Sequence, residues 1–288
     1  MKNKNIKKTK KRPGAVKRGK TAGALAADAA AWGGDRLPVV GLGASAGGLE
    51  ALEAFFGAVP TDCGLAFVVV MHLAPKHKGM IAELLQRSTT LKVTQARDGV
   101  RVEPGGVYVI PPNADLSIRS GVLRLAKAAP GAGLRLPINY FFRSLAADRQ
   151  ADAIGIVLSG MGSDGTLGLR AIKDAAGLTL AQAAAGAKFD SMPRSAVASG
   201  AADISLPAGQ LYGAIKNWLA NRPRLDIVTP QKFSEAMDCI LGLIRARTGH
   251  DFSMYKKSTL VRRIERRMGI HQLAKMADYA ALLRERPQ

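Results

Sequence analysis

The chain has 288 residues, 47% of them apolar and 22% charged, enough for one substantial core with a smaller unit beside it. No apolar run approaches the ~20 residues that cross a bilayer, and Cys63 and Cys239 are too few and too far apart for a disulfide framework or a metal cluster, so a reducing cytoplasm is expected. The net charge of +20 points to nucleic acid only until it is divided: residues 1–20 carry +10, residues 231–288 carry +6, and the long middle carries +4.

Residues 1–36 hold the run Lys7 to Arg12 and an alanine-rich stretch, with too few large apolar side chains to pack, and a disordered basic tail is expected there. Its basic region is too long and its apolar region too interrupted for a secretory signal. Weak contact with an anionic surface, about 1 kcal/mol per basic residue at a charged membrane, is the most it offers.

Leu37 to Leu42 reads as a buried strand, and Leu49, Leu52, Phe55 and Phe56 recur at helical spacing after it. Ser45 lies at the bend between them. A serine on a tight strand-to-helix turn is lifted clear of the sheet beside unpaired helix N-terminal amides, the position of a nucleophile. Small residues at such a turn also occur for structural reasons alone. A third reading, a dinucleotide loop built on Gly41, Gly43 and Gly47, requires an acidic residue about 20 positions on, at the end of the second strand. That strand, Leu65 to Met71, ends instead in His72.

The next elements in order are a helix over 80–86, short strands with hairpin turns over 99–110 and 116–125, and a helix over 135–145. A third buried strand, Ala153 to Leu158, runs into a glycine-rich loop carrying Asp164 and then a helix over 167–176. In open parallel sheets catalytic groups gather outside the carboxyl ends of the strands. Three such ends carry Ser45, His72 and Asp164, a nucleophile, a base and the carboxylate that fixes the base's tautomer. Singly, His72 reads as a strand-end polar residue and Asp164 as a turn or cap; the coincidence of the three carries the hydrolase reading. His77, between Lys76 and Lys78, is set aside as exposed. Met192 and Pro193, in the segment that returns to this face, either line a substrate groove or close the fold.

GASAGG at 43–48, MHLAP at 71–75, VYVIPPN at 107–113, LSGMGSDG at 158–165 and SMPRSA at 191–196 together resemble the catalytic domain of the chemotaxis protein-glutamate methylesterases, the CheB family. The resemblance implies an α/β fold, a three-layer, Rossmann-like parallel-sheet domain over 37–220. It also implies hydrolysis of glutamyl methyl esters on the cytoplasmic helices of chemoreceptors, with deamidation of glutamines as a companion activity. Ser45 matches the nucleophile, His72 the base and Asp164 its partner. The backbone amides of Ala46 and Met161 match the oxyanion donors, and no metal or organic cofactor is implied. The family usually carries a receiver domain upstream, where this sequence has its basic tail.

Two prolines mark a linker over 221–231. Beyond it, Phe233, Met237, Ile240 and Ile244 form one helical stripe. Leu260, Ile264 and Met268 form the inner stripe of a second helix capped by Ser258 or Thr259, and a third helix runs from about Leu273 to Arg284. A small all-α domain over 232–288 is expected. Arg262, Arg263, Arg266 and Arg267 are placed together on the outer side of the second helix. Solvation accounts for such a face, but like charges at i,i+4 repel by a few tenths of a kcal/mol, roughly, which makes an acidic partner the second reading. Specific nucleic-acid binding is not expected, because no aromatic stacking residues accompany the arginines. Residues 247–268 resemble the start of the chemotaxis receptor methyltransferases, the CheR family, whose basic helix engages receptors. The two resemblances together imply a fusion cut short before its transferase domain. The alternative function is a catalytically idle, receptor-binding scaffold fragment of such a fusion.

Overall fold

The computed structural model describes residues 37–72, 80–127, 135–221 and 230–285; the basic tail, His77 and most of the linker segment lie outside them. Seven parallel strands form one sheet in the order β3-β4-β2-β1-β7-β8-β9. Their ranges are β1 Val39–Ala44, β2 Ala66–Met71, β3 Lys92–Gln95, β4 Gly106–Val109, β7 Ala153–Val157, β8 Leu178–Gln182 and β9 Ile204–Leu206. The central strands are buried on both faces, which is why β1, β2 and β7 read as near-continuous apolar runs.

Helices cover both faces. Leu52, Phe55 and Phe56 of α1 (Gly48–Phe56), Leu85 of α2 (Met80–Gln86) and Leu211, Ile215 and Trp218 of α6 (Leu211–Ala220) share one buried cluster with Val40 and Leu42 of β1. On the opposite face α3 (Pro137–Arg149), α4 (Thr166–Asp174) and α5 (Ser191–Ala198) supply Phe141, Phe142, Leu145, Leu169, Ile172 and Met192. Each large side chain so buried is worth roughly 1.5–3 kcal/mol.

Gly41 and Gly43 belong to this packing and not to a phosphate loop. Both lie inside β1, where an added Cβ would meet Phe142 Cε1 at 2.9 Å and Ile138 Cγ2 at 2.3 Å. Their bareness lets α3 lie directly on the central strand, so that the first turn of α3 stops beside the strand's carboxyl end.

Of the expected hairpins, the one turning at Ser120 and Gly121 forms, and the segment 99–110 departs from expectation. Gly106–Val109 joins the main sheet as a parallel strand against β2, β5 (Ala114–Arg119) and β6 (Val122–Lys127) form an antiparallel pair, and Arg101 adds an antiparallel bridge to Val122. Ser120 and Gly121 turn that pair with φ of 50° and 73°, and the Asp148 carboxylate of α3 accepts both their amides.

Residues 230–285 form three helices, α7 (Pro230–Thr248), α8 (Lys257–Ile270) and α9 (Met276–Glu285). Their own cluster contains Met237, Ile240, Leu260, Ile264, Met268 and Tyr279, the inner stripes expected from helical spacing. α8 begins ahead of Ser258 and Thr259 and has no side-chain cap.

The placement of the four arginines needs correction. Arg262, Arg263 and Arg267 are exposed, whereas Arg266 is 5% exposed and turned toward the sheet. Its Nε donates to the Gly177 carbonyl at 2.7 Å and its Nη2 pairs with the Asp203 carboxylate, which also accepts from Thr179 Oγ1 at 2.6 Å and from Lys173 Nζ at 3.0 Å. Gly177 and Asp203 lie just before β8 and β9, so the helices dock at the amino end of the sheet, opposite the ends that carry Ser45 and His72.

Burial alone would raise the Asp203 carboxyl, but the Arg266 guanidinium, the Thr179 hydroxyl and the Lys173 ammonium outweigh it and hold it below its ordinary value. A depressed carboxyl stabilises fully above its unfolded-state value, and that contribution is lost as pH falls through the folded value. Denaturant melts of the parent and of Asp203→Asn should therefore differ by a constant amount at neutral pH and converge under acid. Arg266→Ala should cost about 3 kcal/mol, the low end for breaking a buried pair, because Lys173 and Thr179 stay on the carboxylate.

Candidate active site

The register of the sheet brings three chain positions to one rim. Ala44 pairs with Met71 and Gly43 with Val157, so β2, β1 and β7 end side by side, and β1 and β7 flank the point where the chain reverses its direction of winding. Ser45 follows β1 directly, His72 follows β2 directly, and Asp164 ends the loop between β7 and α4.

Those three side chains form one row. His72 Nδ1 lies 3.3 Å from Ser45 Oγ, and His72 Nε2 lies 3.1 Å from Asp164 Oδ2. Ser45 is half-buried, the His72 side chain is 34% exposed, and Asp164 is 2% exposed. The hydroxyl and imidazole are thus open to solvent while the carboxylate stays dry. The row reads Oγ, Nδ1, Nε2, carboxylate: a proton on Nε2 leaves Nδ1 as the acceptor for the serine.

Asp164 owes its position to helix α3. Oδ2 also accepts the Ile138 amide at 3.0 Å, and Oδ1 accepts the amides of Asn139 at 2.9 Å and Gly165 at 2.8 Å. The carboxylate therefore supplies the cap that α3 lacks from its own N-cap residue, Leu136, and it sits where a helix favours negative charge. Asn139 returns the service: its Oδ1 accepts the Gly168 amide at 2.7 Å in the first turn of α4. The capping expected of Asp164 falls on α3, not on the helix that follows it, and the same carboxylate lies within hydrogen-bond reach of His72.

The Ser45 turn is held by the Ser45 amide on the Ser159 carbonyl (3.0 Å) and by the Gly48 amide on the Ser45 carbonyl (2.9 Å). In a trans peptide N–H and C=O point oppositely, so the Ala46 amide points out of the turn. Neither it nor the Met161 amide is taken by an acceptor among the described residues. Gly160 sits between Met192 and Ser45: an added Cβ would lie 2.2 Å from Met192 Sδ and 2.8 Å from Ser45 Cβ. Gly160→Ala should cost about 1–3 kcal/mol by overpacking. On the hydrolase reading of the sequence, the displacement of Ser45 should also lower turnover about tenfold or more, read in a steady-state assay beside a thermal melt.

Met192 is fully buried and Pro193 is buried, both packed beneath the loop rather than presented at its surface. Apolar side chains exposed near the rim include Met161, which the motif reading named for its amide alone, and Phe189, which it passed over. Beside His72 lies a cleft of about 220 Å³ lined by Met71, Pro111, Pro112, Asn113, Arg135 and Pro137. Arg135 at this cleft is paired with Asp115 at 2.9 Å. Among the described residues no group of His, Cys, Asp or Glu is arranged to hold a metal ion.

A hydroxyl, imidazole and carboxylate in hydrogen-bonded sequence, above an open parallel sheet and beside free backbone amides, is the constellation of an α/β serine hydrolase. Residues 40–215, more than half of the chain, match the family model for CheB methylesterase, and residues 235–288 match the all-alpha domain of CheR methyltransferase. The chain belongs to the CheB methylesterase family, joined to a CheR-type helical domain.

Among its relatives is a protein-glutamate methylesterase/protein-glutamine glutaminase of Pseudomonas aeruginosa, 38% identical over 64% of this chain and 54% of that protein. Another is an uncharacterized 104.1 kDa protein of Rhodobacter capsulatus, 35% identical over 70% of this chain and 24% of that one. This chain thus spans about half the length of its methylesterase relatives, and less of the longer protein. The CheB methylesterase catalytic domain of Thermotoga maritima aligns with a TM-score of 0.57 at 29% identity, covering 61% of this chain and 95% of that domain.

Proposed function

We propose that the protein is a protein-glutamate methylesterase that hydrolyses glutamyl methyl esters on the cytoplasmic helices of chemoreceptors, releasing methanol. The observation that supports this reading best is the unbroken row from Ser45 Oγ through His72 to Asp164, with contacts of 3.3 and 3.1 Å. An idle scaffold has no use for a relay kept in that alignment.

In this mechanism His72 Nδ1 takes the Ser45 proton as Oγ adds to the ester carbonyl. Asp164 steadies the imidazolium, and the amides of Ala46 and Met161 receive the oxyanion. Collapse breaks the C–O bond to the methoxy group, His72 returns its proton, and methanol leaves. Water then adds to the acyl-serine with His72 again as base, freeing the glutamate carboxylate and restoring Ser45. Glutamine deamidation follows the same steps with ammonia as the leaving group.

The esterase domain is assigned to 37–220 and the helical domain to 232–288, in a cytoplasmic protein. Arg262, Arg263 and Arg267 are the arginines available to an acidic receptor surface, and Arg266 is committed to Asp203. The test is methanol release from a methylated receptor fragment. Steady release by the parent protein is expected; no release from a folded sample would overturn the reading.

A further inference from the structure

Ser159 is fully buried and takes no part in the proton relay, yet every polar atom it has is engaged with a different piece of the active-site rim. Its carbonyl accepts the Ser45 amide at 3.0 Å. Its hydroxyl lies 2.9 Å from the Ala46 carbonyl and accepts the Phe189 amide at 3.0 Å; the Phe189 carbonyl is farther, at 3.2 Å. A hydroxyl has one proton to give, and the shorter contact directs it to Ala46. Its amide donates to Oε1 of Gln182, itself 3% exposed, at 2.9 Å, and Gln182 Nε2 donates onward to the Gly186 carbonyl at 2.8 Å.

Three loops therefore meet on one residue: the β1–α1 turn with Ser45 and Ala46, the β7–α4 loop with Met161 and Asp164, and the β8–α5 loop with Phe189. Ser159 grips the Ser45–Ala46 dipeptide from both ends, through the amide of the first residue and the carbonyl of the second. The peptide between them is already turned by the Gly48 amide on the Ser45 carbonyl. With both flanking peptides pinned, the Ala46 N–H has one direction left, outward to the place where an ester oxyanion forms.

We infer that Ser159 is a positioning residue for the oxyanion pocket, its buried hydroxyl holding the Ala46 amide and the Met161 loop in mutual register before substrate arrives. The inference rests on the esterase reading above. Donors aimed in advance at the developing charge act mainly on the transition state. Loss of the hydroxyl should therefore appear in kcat and not in KM.

Ser159→Ala is expected to lower kcat for methanol release about 10- to 100-fold at nearly unchanged KM. It should slow covalent capture of Ser45 by an organophosphonate in parallel, because that adduct needs the same amides. Ser159→Thr, which restores the hydroxyl, should recover most of both rates. A purely structural role would lower the melting temperature and leave kcat, measured well below it, where it was. Parent turnover in Ser159→Ala overturns the inference, as does a Ser159→Thr variant that folds like the parent but is no faster than alanine. Should alanine fail to fold, Ser159→Cys, of similar size but a weak donor, must still lose kcat at constant KM, and parent kcat there is equally fatal. If the parent itself releases no methanol, the esterase reading fails instead; phosphonate capture then still reports whether Ser159 sets the pocket.

Discussion

Ser45→Ala is expected to lower methanol release by a factor on the order of 10³ or more, and to leave the fold as stable as the parent within about 0.5 kcal/mol. The two halves of this expectation have separate causes. Among the described residues the Ser45 hydroxyl has one hydrogen-bonding approach, His72 Nδ1 at 3.3 Å, while the turn itself is held through backbone groups that alanine also possesses. Removing the oxygen therefore removes the acyl-forming atom and little else. Residual hydrolysis should persist above the rate in water, because in the proposed mechanism the amides of Ala46 and Met161 still polarise a bound ester. Turnover and a thermal melt on the same sample check both halves. Parent-like turnover would exclude Ser45 as nucleophile.

Asp164→Asn should damage both activity and stability, although it changes one atom. The carboxylate receives four donors on its two oxygens: Ile138 N and His72 Nε2 on one, Asn139 N and Gly165 N on the other. An asparagine keeps one oxygen and offers an NH2 where the other stood, so two of the four donors face a donor in a site only 2% exposed to water. Each buried donor left unsatisfied costs about 1–3 kcal/mol, and the first turn of α3 loses half its cap. If the amide oxygen stays with Asn139 and Gly165, the Ile138 amide and His72 face the NH2, and His72 is driven to the tautomer that cannot accept the Ser45 proton. A loss of the order of 10⁴-fold in kcat is then expected. If it stays with His72 and Ile138, the amides of Asn139 and Gly165 lose their acceptor instead. A denaturant melt and a kcat measurement together test this, and parent-like values in both would remove Asp164 from the relay and from the cap.

Much of this site was legible before any coordinates. Leu65 to Met71 and Ala153 to Leu158 are uninterrupted apolar runs, and a parallel strand buried on both faces has no other pattern to show. The residues that follow such runs lie at the functional rim of the sheet by topology alone. Lys92–Gln95 and Ile204–Leu206 were not legible, since they are short and half-exposed strands at the two outer edges. Leu178–Gln182 hid for a different reason. It is buried along its length but carries Thr179 and Gln182, polar residues tolerated only because Asp203 and Ser159 meet them there. Pattern sees the polarity and not the partner. The same blindness placed Arg266 with its exposed neighbours: helical spacing gives the face, and only the docked sheet shows a buried carboxylate waiting beneath it.

By itself the amino-acid sequence determined the local identities: which runs become central strands, which residues follow their ends, and which small residues leave room at the Ser45 turn. These depend on near neighbours in the chain. Tertiary structure alone decided that the three side chains meet in one hydrogen-bonded row, that Asp164 caps α3 as well as orienting His72, that Met192 is core, and that Ser159 joins three loops. Those facts depend on groups from 25 to more than 100 positions apart being brought within about 3 Å, which strand register and helix packing accomplish and local pattern does not record.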